Sequence, residues 1–411
     1  MGGWPSKAAP AASSTPGWPD LPPELADLVL RRLPSLVDRL RFAFVCRRWL
    51  HAATRYSPPG SRPRLPWLSF LDGNFRSLPD GELHHIAGFE DAACLGSFGS
   101  WLLFEKVGRR RRSRRRLRRH LLLHNPLRHR LAGATVRLPG RCKAPIPAIV
   151  NADGSHDGAC SSSSATSSTA FFISKVIVCS SDLVAAKVNY RDGTDVVVCC
   201  RPGMSLSWST GLFNGHYYSD MALHNEKLYT VTRLGDLFAH EVAVDAATGE
   251  PRVHRIQHVI QAPHTLDGDF ATTAICVKTS YLVVSQTGKL LMVRWIIPFS
   301  DRYNSERSAK HMTFKVFEAD LEMSRWLEVD RLEDQVLFVS MDCSKAISAC
   351  NYQQGKNKIY FLDQGHTSLL FGTTSNLRTC VVYDMSSKTI QSISLGEVRI
   401  SDQARGSWFF P

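Results

Sequence analysis

The stretch Thr313–Val329, TFKVFEADLEMSRWLEV, decides the fold of most of this chain. Its first run alternates polar and apolar side chains, a polar turn follows, and a second short run closes the unit. Alternation with a period of two predicts half-buried β-strands, so the unit is typical of a hairpin. Four other segments repeat the pattern: Leu121–Leu138 (LLLHNPLRHRLAGATVRL), Asp195–Trp208 (DVVVCCRPGMSLSW), Asp236–Ile256 (DLFAHEVAVDAATGEPRVHRI) and Cys380–Ile393 (CVVYDMSSKTIQSI).

Most of these units follow another strand-like run. Each unit, together with the run or runs before it, supplies three or four antiparallel strands. The preceding runs are Trp101–Phe104, Leu183–Asn189, Lys227–Thr232, Tyr281–Ser285, Leu290–Ile297 and Lys358–Leu362. Five or more irregular copies over about 340 residues fit a β-propeller better than a single sandwich. We therefore predict an all-β domain over residues 66–411, an irregular β-propeller whose blade number the uneven spacing leaves open.

Before Pro66 the pattern is helical. Leu25, Leu28 and Val29 recur at spacings of three and four residues, and Pro34 ends the first helix. Further apolar positions up to Trp49 supply one or two more helices, which predicts a small all-α module of three helices over residues 20–56. Residues 1–19 are rich in Pro, Ala, Ser and Gly, and predict a disordered leader.

Composition places the chain among ordinary globular proteins, since 44% of its 411 residues are apolar and 21% are charged. Its 11 cysteines include no C-x-x-C pair, which excludes the usual disulfide frameworks and zinc clusters and favours reduced thiols. The sequence has no signal-peptide core and no long apolar run, so we expect a soluble protein of the nucleus or cytoplasm, or both. The start of the chain matches a loose myristoylation pattern, but one acyl chain gives no stable membrane association.

The net charge of +13 comes from one region. Residues 106–143 hold 15 of the 50 Lys and Arg and no acid, so the remaining 35 basic and 37 acidic residues give a net charge of −2. Within this region Gly108–His120 (GRRRRSRRRLRRH) lies between two strand-like runs and predicts an enlarged hairpin loop. A Ser-rich segment, Asp153–Thr169, predicts a second long loop that orders poorly.

The arginine run has three interpretations that the sequence leaves open: a nuclear-import signal, nonspecific phosphate contacts, or a tolerated loop expansion without a role. It has neither interleaved aromatic residues nor a recognition helix, so specific reading of bases is unsupported. The candidate import residues are Arg109, Arg110, Arg111, Arg112, Arg114, Arg115, Arg116, Arg118 and Arg119.

The sequence contains no G-x-S-x-G elbow, Walker loop, G-x-G-x-x-G or H-E-x-x-H motif, so we predict no catalytic residues, cofactor or metal. His264 with Asp267 and Asp269 is typical of a polar turn. His120 and His124 lie on a predicted strand, where their spacing separates them by ~13 Å, too far for a shared metal. We expect Cys199-Cys200 to be one buried and one outward strand residue. An enzyme acting on glycans or small molecules would need convergent carboxylates, which are missing.

The helical module resembles the F-box in the order and spacing of its motifs. The matching stretches are Leu21-Pro22-x-Glu24-Leu25, Leu28-Val29-Leu30, Leu33-Pro34, Asp38-Arg39-Leu40, Val45-Cys46-Arg47-Arg48-Trp49 and Ala52-Ala53. The resemblance implies docking on the Skp1-like adaptor of cullin-type ubiquitin ligases. The residues that would carry this role are Leu21, Pro22, Leu25, Leu28, Leu33, Pro34, Leu40, Val45, Cys46 and Trp49. Some must face the adaptor and others the motif's own core, whereas Phe42 and Phe44 lie where the motif tolerates variation. A helical cap packed only on its own chain is the alternative.

The β region is similar to a large plant F-box group with a KIB-type β-propeller. The stretches that carry this similarity include Leu123-His124-Asn125-Pro126-Leu127, Tyr218-Ser219-Asp220-Met221-Ala222, Phe317-Glu318-Ala319-Asp320, Lys358-Ile359-Tyr360-Phe361 and Trp408-Phe409-Phe410-Pro411. Together the two resemblances imply a non-catalytic substrate receptor of a Skp1–cullin–F-box ubiquitin ligase, whose propeller binds an unknown target protein. The alternative is a nucleic-acid-associated nuclear protein that acts through the arginine run.

Overall fold

The computed structural model divides into two compact units, Met1–Ser61 and Arg62–Pro411. It describes residues 21–32, 42, 45–55, 66–69, 73–77, 83–86, 89, 92–108, 118–126, 133–151, 154–158, 171–246, 248–262, 275–298, 300, 311–349, 355–362, 379–394 and 407–410. The leader predicted over residues 1–19 lies outside these ranges. Within them, no helix has the length and apolar character that a membrane crossing requires.

The first unit contains two helices in its described part, α1 (Pro23–Arg32) and α2 (Arg47–Arg55). Two prolines start α1, where the missing N–H of Pro23 costs nothing and the carbonyl of Pro22 accepts the N–H groups of Leu25 and Ala26 at 3.0 Å. The third helix predicted for residues 20–56 would lie between them, and residues 33–41 are not among those described.

The second unit is built from β-strands throughout its described part. The first of them are β1 (Trp67–Ser69), β2 (Asn74–Ser77), β3 (Leu83–His85), β4 (Ala92–Phe98), β5 (Trp101–Gly108), β6 (Arg118–His124), β7 (Thr135–Leu138), β8 (Ile146–Val150), β9 (His156–Gly158), β10 (Phe171–Val178), β11 (Val184–Tyr190), β12 (Asp195–Cys200) and β13 (Leu212–Phe213). The others are β14 (Tyr218–His224), β15 (Lys227–Thr232), β16 (Leu237–Val244), β17 (Pro251–Ile260), β18 (Ile275–Val284), β19 (Leu290–Pro298), β20 (Thr313–Asp320), β21 (Arg325–Val329), β22 (Gln335–Val339), β23 (Lys345–Ser348), β24 (Lys358–Leu362), β25 (Thr379–Asp384), β26 (Thr389–Ser394) and β27 (Trp408–Phe409).

Five sheets form the blades of a propeller: β4–β7, β10–β12, β14–β17, β18–β21 and β22–β26. Strands that follow each other in the chain pair antiparallel in the first four blades, whereas β22 and β24 of the last blade pair parallel. The all-β propeller predicted from the repeats is confirmed, with five blades.

A sixth sheet, β27-β1-β2-β3, joins the two ends of the domain. Trp67 pairs with Phe409, and the N–H of Ser69 donates to the carbonyl of Ser407 at 2.8 Å. The indole N–H of Trp408 donates to the carbonyl of Val339 in the last blade at 3.2 Å, and its own carbonyl accepts the hydroxyl of Ser97 in the first blade. This closing sheet therefore lies between the first blade and the last.

Strand β12 is buried on both faces, which corrects the expectation for Cys199-Cys200. The two cysteines do point to opposite faces of β12, but both are buried. Cys200 packs in a cluster with Trp208 and Val198, and Cys199 packs in another with Phe238 of the next blade. No face of this strand is outward, so the prediction of an exposed cysteine is wrong.

The two predicted loops contain more strand than their composition indicates. In the Ser-rich segment, β9 pairs with both β8 and β17, so its backbone groups are satisfied although its side chains are polar. Together with β13, these strands extend the third blade to seven. In the arginine segment, β5 and β6 continue the hairpin to the pair Gly108–Arg118. Residues 109–117 and 159–169 lie outside the described ranges.

Candidate functional site

The first candidate site is a stripe of large apolar side chains on α1. Leu25, Leu28 and Val29 are three and four residues apart, which places them on one side of the helix. Their exposed fractions are 47%, 48% and 40%. A single exposed leucine is normal in a soluble protein, but three neighbouring apolar side chains on one helix face indicate a surface for a partner.

The opposite side of α1 packs into a small core. Ala26, Phe42 and Ala52 are buried, and Leu21, Leu30 and Trp49 are partly buried against them. The rings of Phe42 and Trp49 stack with centroids 4.2 Å apart and an angle of 21° between their planes. Phe42 was expected at a tolerant position, yet it lies at the centre of this core.

Exposure sorts the ten adaptor candidates into groups that the sequence could not separate. The exposed ones are Pro22, Leu25, Leu28 and Val45. Leu21 and Trp49 pack in the helical core, and Cys46 is half-buried. Leu33, Pro34 and Leu40 lie outside the described residues. Val29 was not among the candidates, although it follows Leu25 by four residues, a spacing that places both side chains on the same side of a helix.

In the propeller, a buried ion pair links three successive blades. The ammonium of Lys175 on β10 lies 2.7 Å from the carboxylate of Asp220 on β14, and both side chains are buried. The other carboxylate oxygen of Asp220 accepts the N–H of Leu282 on β18 at 2.8 Å. Every oxygen of this carboxylate is thus occupied inside the protein, which fits a role in holding blades together rather than in catalysis.

The propeller thiols that the structure describes are poor nucleophiles. Burial raises the pKa of Cys94 to about 12 and that of Cys343 to about 11, so both stay protonated at neutral pH. Burial likewise raises the pKa of Cys142 and of Cys179 to about 11. Among the described residues, no group of His, Cys, Asp and Glu has the arrangement of a metal site.

His120 and His124 have separate neighbours on β6. His120 accepts a hydrogen bond from the guanidinium of Arg137 at 2.9 Å. His124 lies 2.8 Å from the hydroxyl of Thr135 and packs its ring against Phe89, with centroids 4.7 Å apart. The proposed turn residues His264, Asp267 and Asp269 lie outside the described ranges.

An open polar cleft of about 500 Å³ lies at the edge of the last blade. Its lining residues are Arg331, Glu333, Asp334, Lys356, Asn357 and Ser386. The amide of Asn357 donates to Ser386 at 2.6 Å and accepts the N–H of Leu332 at 2.7 Å. Lys356 and Asp334 also lie 3.5 Å apart, so four of the six lining residues pair with one another.

Two protein families match this chain. The model of the KIB1-4 beta-propeller family covers residues 75–384, well over half of the sequence. The chain belongs to the KIB1-4 beta-propeller family. The F-box domain model covers residues 18–58, the part that contains α1 and α2. No curated protein matches the chain.

Three solved structures share a low level of similarity with this KIB1-4 protein. Sucrose-6-phosphate hydrolase from Lactobacillus gasseri is 10% identical over 92% of this chain and 85% of its own, with a TM-score of 0.27. A β-fructofuranosidase mutant of Microbacterium saccharophilum K-1 is 8% identical over 81% and 56%, with a TM-score of 0.20. The GH43_1 enzyme from Xanthomonas citri is 8% identical over 81% and 87%, with a TM-score of 0.20. At these scores the similarity supports no inference about activity.

The motifs that carry the KIB1-4 resemblance lie mostly in the core. Trp408 and Phe409 are fully buried in the closing sheet, Tyr360 and Phe361 are buried on β24, and Asp220 is the acceptor of the buried ion pair. These residues therefore define the propeller, and residues that bind a partner must be sought elsewhere. Lys175 completes the ion pair, but no local pattern in the sequence singled it out.

Two of the nine candidate import residues of the KIB1-4 protein lie on a described strand. Arg118 and Arg119 belong to β6, where Arg119 pairs with Val107 of β5. The other seven, Arg109, Arg110, Arg111, Arg112, Arg114, Arg115 and Arg116, are outside the described residues.

Proposed function

We propose that this protein is the substrate-recognition subunit of a Skp1–cullin–F-box ubiquitin ligase. Its helical module docks on a Skp1-like adaptor, and through it on a cullin, while the propeller binds a target protein. The observation that carries the proposal is the exposed stripe of Leu25, Leu28 and Val29 in the segment that matches the F-box. F-box architecture joined to a propeller fits an adaptor without catalysis of its own.

Burial of the stripe would stabilise the complex. Leu25 and Leu28 each keep about half of their side chain in water. Removing the remaining exposed area of such a side chain contributes about 1 kcal/mol at ~25 cal/mol per Å². The helical core of Ala26, Phe42 and Ala52 is small, so a partner on the other face would also add the stability that a short helical segment lacks.

The chain would contribute proximity rather than bond chemistry. A protein that holds a target through one domain and the ligase through another raises the effective concentration of a target lysine near the ubiquitin-loaded enzyme. Rigid blades with variable connections are suited to the target side of this tether.

The test is adaptor binding by a Leu25→Glu/Leu28→Glu variant. Two carboxylates on the stripe should reduce recovery of a purified Skp1-like adaptor at least tenfold, because charge would have to be buried without a partner. Leu83→Glu is the matched control, since Leu83 is 70% exposed on the propeller. Equal adaptor binding by wild type and the double variant, with unchanged helix content, would contradict the proposal.

The Trp49→Ala variant is a second test of the helical module. Trp49 packs in the helical core, so its loss should lower both helix content and adaptor binding. The Leu25→Glu/Leu28→Glu variant should lower binding alone, and circular dichroism separates the two effects.

We propose that the protein acts in the nucleus, the cytoplasm or both.

The alternative role in nucleic-acid binding predicts that RNA or DNA affinity disappears when residues 109–119 are deleted. Strong nucleic-acid binding that depends on this segment, together with no adaptor association, would replace the receptor proposal. Import through the same segment predicts a cytoplasmic shift of the deletion variant while adaptor binding is retained.

A further inference from the structure

The most exposed large apolar side chains of the described residues lie together in one loop. Leu206 is 92% exposed and Met204 is 75% exposed, and both belong to the segment that follows β12. The next most exposed, Leu83 at 70%, lies in the closing sheet. Two such side chains, only two residues apart, have no role in the core of the propeller.

The loop that carries them, Arg201–Ser207, is held by hydrogen bonds. The carbonyl of Arg201 accepts the N–H groups of Met204 at 3.2 Å and Ser205 at 3.0 Å. The hydroxyl of Ser205 in turn accepts the N–H of Arg201 at 2.8 Å. Gly203 has a φ of 77°, in the left-handed region that suits glycine, so the turn is encoded locally.

Neighbouring elements fix the same loop from both sides. The N–H of Gly203 donates to the carbonyl of Arg137 on β7 at 3.0 Å. The hydroxyl of Ser205 donates to the carboxylate of Glu250 in the β16–β17 turn at 2.5 Å. The fully buried Trp208 ends the loop, and its indole N–H donates to the carbonyl of Pro139 at 2.9 Å. Hydrogen bonds therefore fix the backbone of the loop, while the side chains of Met204 and Leu206 are exposed to solvent.

The surroundings of the loop are basic. Arg137 and Arg141 are exposed, and their carbonyls accept hydrogen bonds from Gly203 and Trp208. Lys143 is exposed two residues further on, and Arg201 begins the loop. Two carboxylates offset part of this charge: Glu250 is bound to Ser205, and Asp182 interacts with Arg201. The residues that these contacts and the chain order place next to the loop thus include four cationic side chains and these two carboxylates.

We propose that Arg201–Ser207 is the docking loop for the target protein, and that it takes an acidic linear segment with at least one large apolar side chain. This proposal rests on the proposed receptor function and names the class of target that the propeller would recognise. Met204 and Leu206 contact the apolar side chain of this segment. The carboxylates of its acidic residues face three basic side chains, those of Arg137, Arg141 and Lys143. The occupant is a peptide-like segment of another protein, because charge complementarity selects acidic residues beside an apolar anchor.

An ordered loop with exposed apolar tips has the properties of an interface anchor. Most of the binding energy of interfaces comes from a few large side chains, and a backbone already held in place loses little conformational entropy on binding. Methionine adds a flexible, polarisable surface that accepts apolar partners of different shapes. Affinity from carboxylates at the rim should fall as salt rises, whereas the apolar contact should not.

The experiment selects peptides from a displayed library of random 12-residue sequences on the full chain bound to its adaptor. Sequences that wild type enriches over a Met204→Glu/Leu206→Glu variant should carry net negative charge and a large apolar residue. The variant should bind these peptides at least tenfold more weakly, and charge reversal by Arg141→Glu/Lys143→Glu should weaken them by a similar factor. A rise from about 0.05 M to about 0.5 M salt should weaken wild-type binding severalfold.

The matched control is Leu83→Glu/Met323→Glu, whose two positions are 70% and 65% exposed elsewhere on the propeller. It should bind the selected peptides like wild type. If no sequences are enriched over the Met204→Glu/Leu206→Glu variant, if the enriched sequences are not acidic, or if the control loses binding equally, the docking loop is refuted. Unchanged melting temperatures would show that each variant is folded.

Adaptor binding separates this proposal from the receptor function. The Met204→Glu/Leu206→Glu variant should recover the adaptor like wild type. The Leu25→Glu/Leu28→Glu variant should lose the adaptor and still bind the selected peptides. Failure of the peptides alone overturns the docking loop, whereas failure of the adaptor alone overturns the receptor function.

Discussion

Among the described residues of the helical unit the buried apolar cluster has three members, Ala26, Phe42 and Ala52, whereas whole strands of the propeller, such as β12 and β22, are buried from end to end. Helix α1 keeps Leu25, Leu28 and Val29 exposed, whereas the blades place their large apolar side chains between neighbouring sheets. Under the proposed function, the helical region gains part of its stability from a partner, whereas the blades bury their apolar side chains within their own chain. The two regions should therefore respond differently to mutation, to ligand and to acid.

The largest effect should come from breaking the buried ion pair of the propeller. Asp220→Ala leaves the ammonium of Lys175 buried without its carboxylate and removes the acceptor of the Leu282 N–H. We expect a loss of about 3–5 kcal/mol in the free energy of unfolding, measured by urea titration.

The exposed pair Lys356–Asp334, at 3.5 Å, is the matched control for this experiment. Its removal by Asp334→Ala should leave the unfolding midpoint unchanged, because exposed ion pairs contribute little. Equal losses of unfolding free energy in the Asp220→Ala and Asp334→Ala variants would contradict this prediction, because burial would then not determine how much an ion pair contributes. Lys175→Met/Asp220→Leu should recover part of the loss, since no charge is left buried.

The next effect should come from the adaptor, and it should be confined to the helices. At about 100 times its dissociation constant, a ligand that binds only the folded form stabilises it by about 2.7 kcal/mol. Amide hydrogen exchange of residues 23–32 and 47–55 should slow by up to about 100-fold when adaptor is added. Exchange in β12 and β19 should not change. Slowing spread evenly over the propeller would contradict the division into a dependent and an independent region.

Acid should weaken the propeller through His240. Its ring is buried beside Thr230, with the Nε2 and Oγ1 atoms 2.8 Å apart, and burial lowers the pKa of His240 from 6.5 to about 3. The unfolded chain binds this proton near pH 6.5, so the stability is complete above that pH and is lost progressively as the pH falls towards 3. Between these values one such group can cost up to about 1.4 kcal/mol per pH unit.

His240→Gln should remove this contribution, because glutamine does not titrate. We expect the free energy of unfolding of the variant to depend less steeply on pH between 6.5 and 3, by urea titration at each pH. An unchanged slope for His240→Gln would show that other groups cause the acid sensitivity.

The smallest effect should come from the aromatic stack of the helical core. Phe42→Leu keeps an apolar side chain but removes the ring that stacks on Trp49 at 4.2 Å. We expect a loss of about 1 kcal/mol, seen as faster hydrogen exchange in residues 47–55. Saturating adaptor should hide this loss. A loss that persists in the complex would place Phe42 outside the part of the module that the adaptor stabilises.

The repeat units were predictable from sequence because their signal is local. In Thr313–Val329 the alternating side chains and the polar turn reproduce β20 and β21, and the side chain of Asp320 accepts the N–H of Met323 within that turn. The F-box segment was recognisable for the same reason, since its motifs follow one another within a few turns of helix.

The features that could not be predicted from the sequence depend on contacts between residues far apart in the chain. The parallel pairing of β22 with β24 and the burial of Cys200 follow from blade packing, which no local pattern records. Leu25 and Leu21 are both apolar residues of a helix motif, and only the position of Phe42 and Trp49 decides which of the two packs against the helical core. Met204 and Leu206 would be expected inside by composition, yet hydrogen bonds from distant residues hold their loop at the surface.

The closing sheet also constrains when the propeller can be completed. The bond from the N–H of Ser407 to the hydroxyl of Ser69 spans 338 residues, so β1 must wait for nearly the whole domain before its partner exists. At about 5–20 residues per second, translation separates the two strands by roughly 20–70 s. During this time the edge of β1 that later binds β27 is open to other strands. We therefore expect ring closure to be delayed until β27 has been synthesised and Trp408 has left the ribosome.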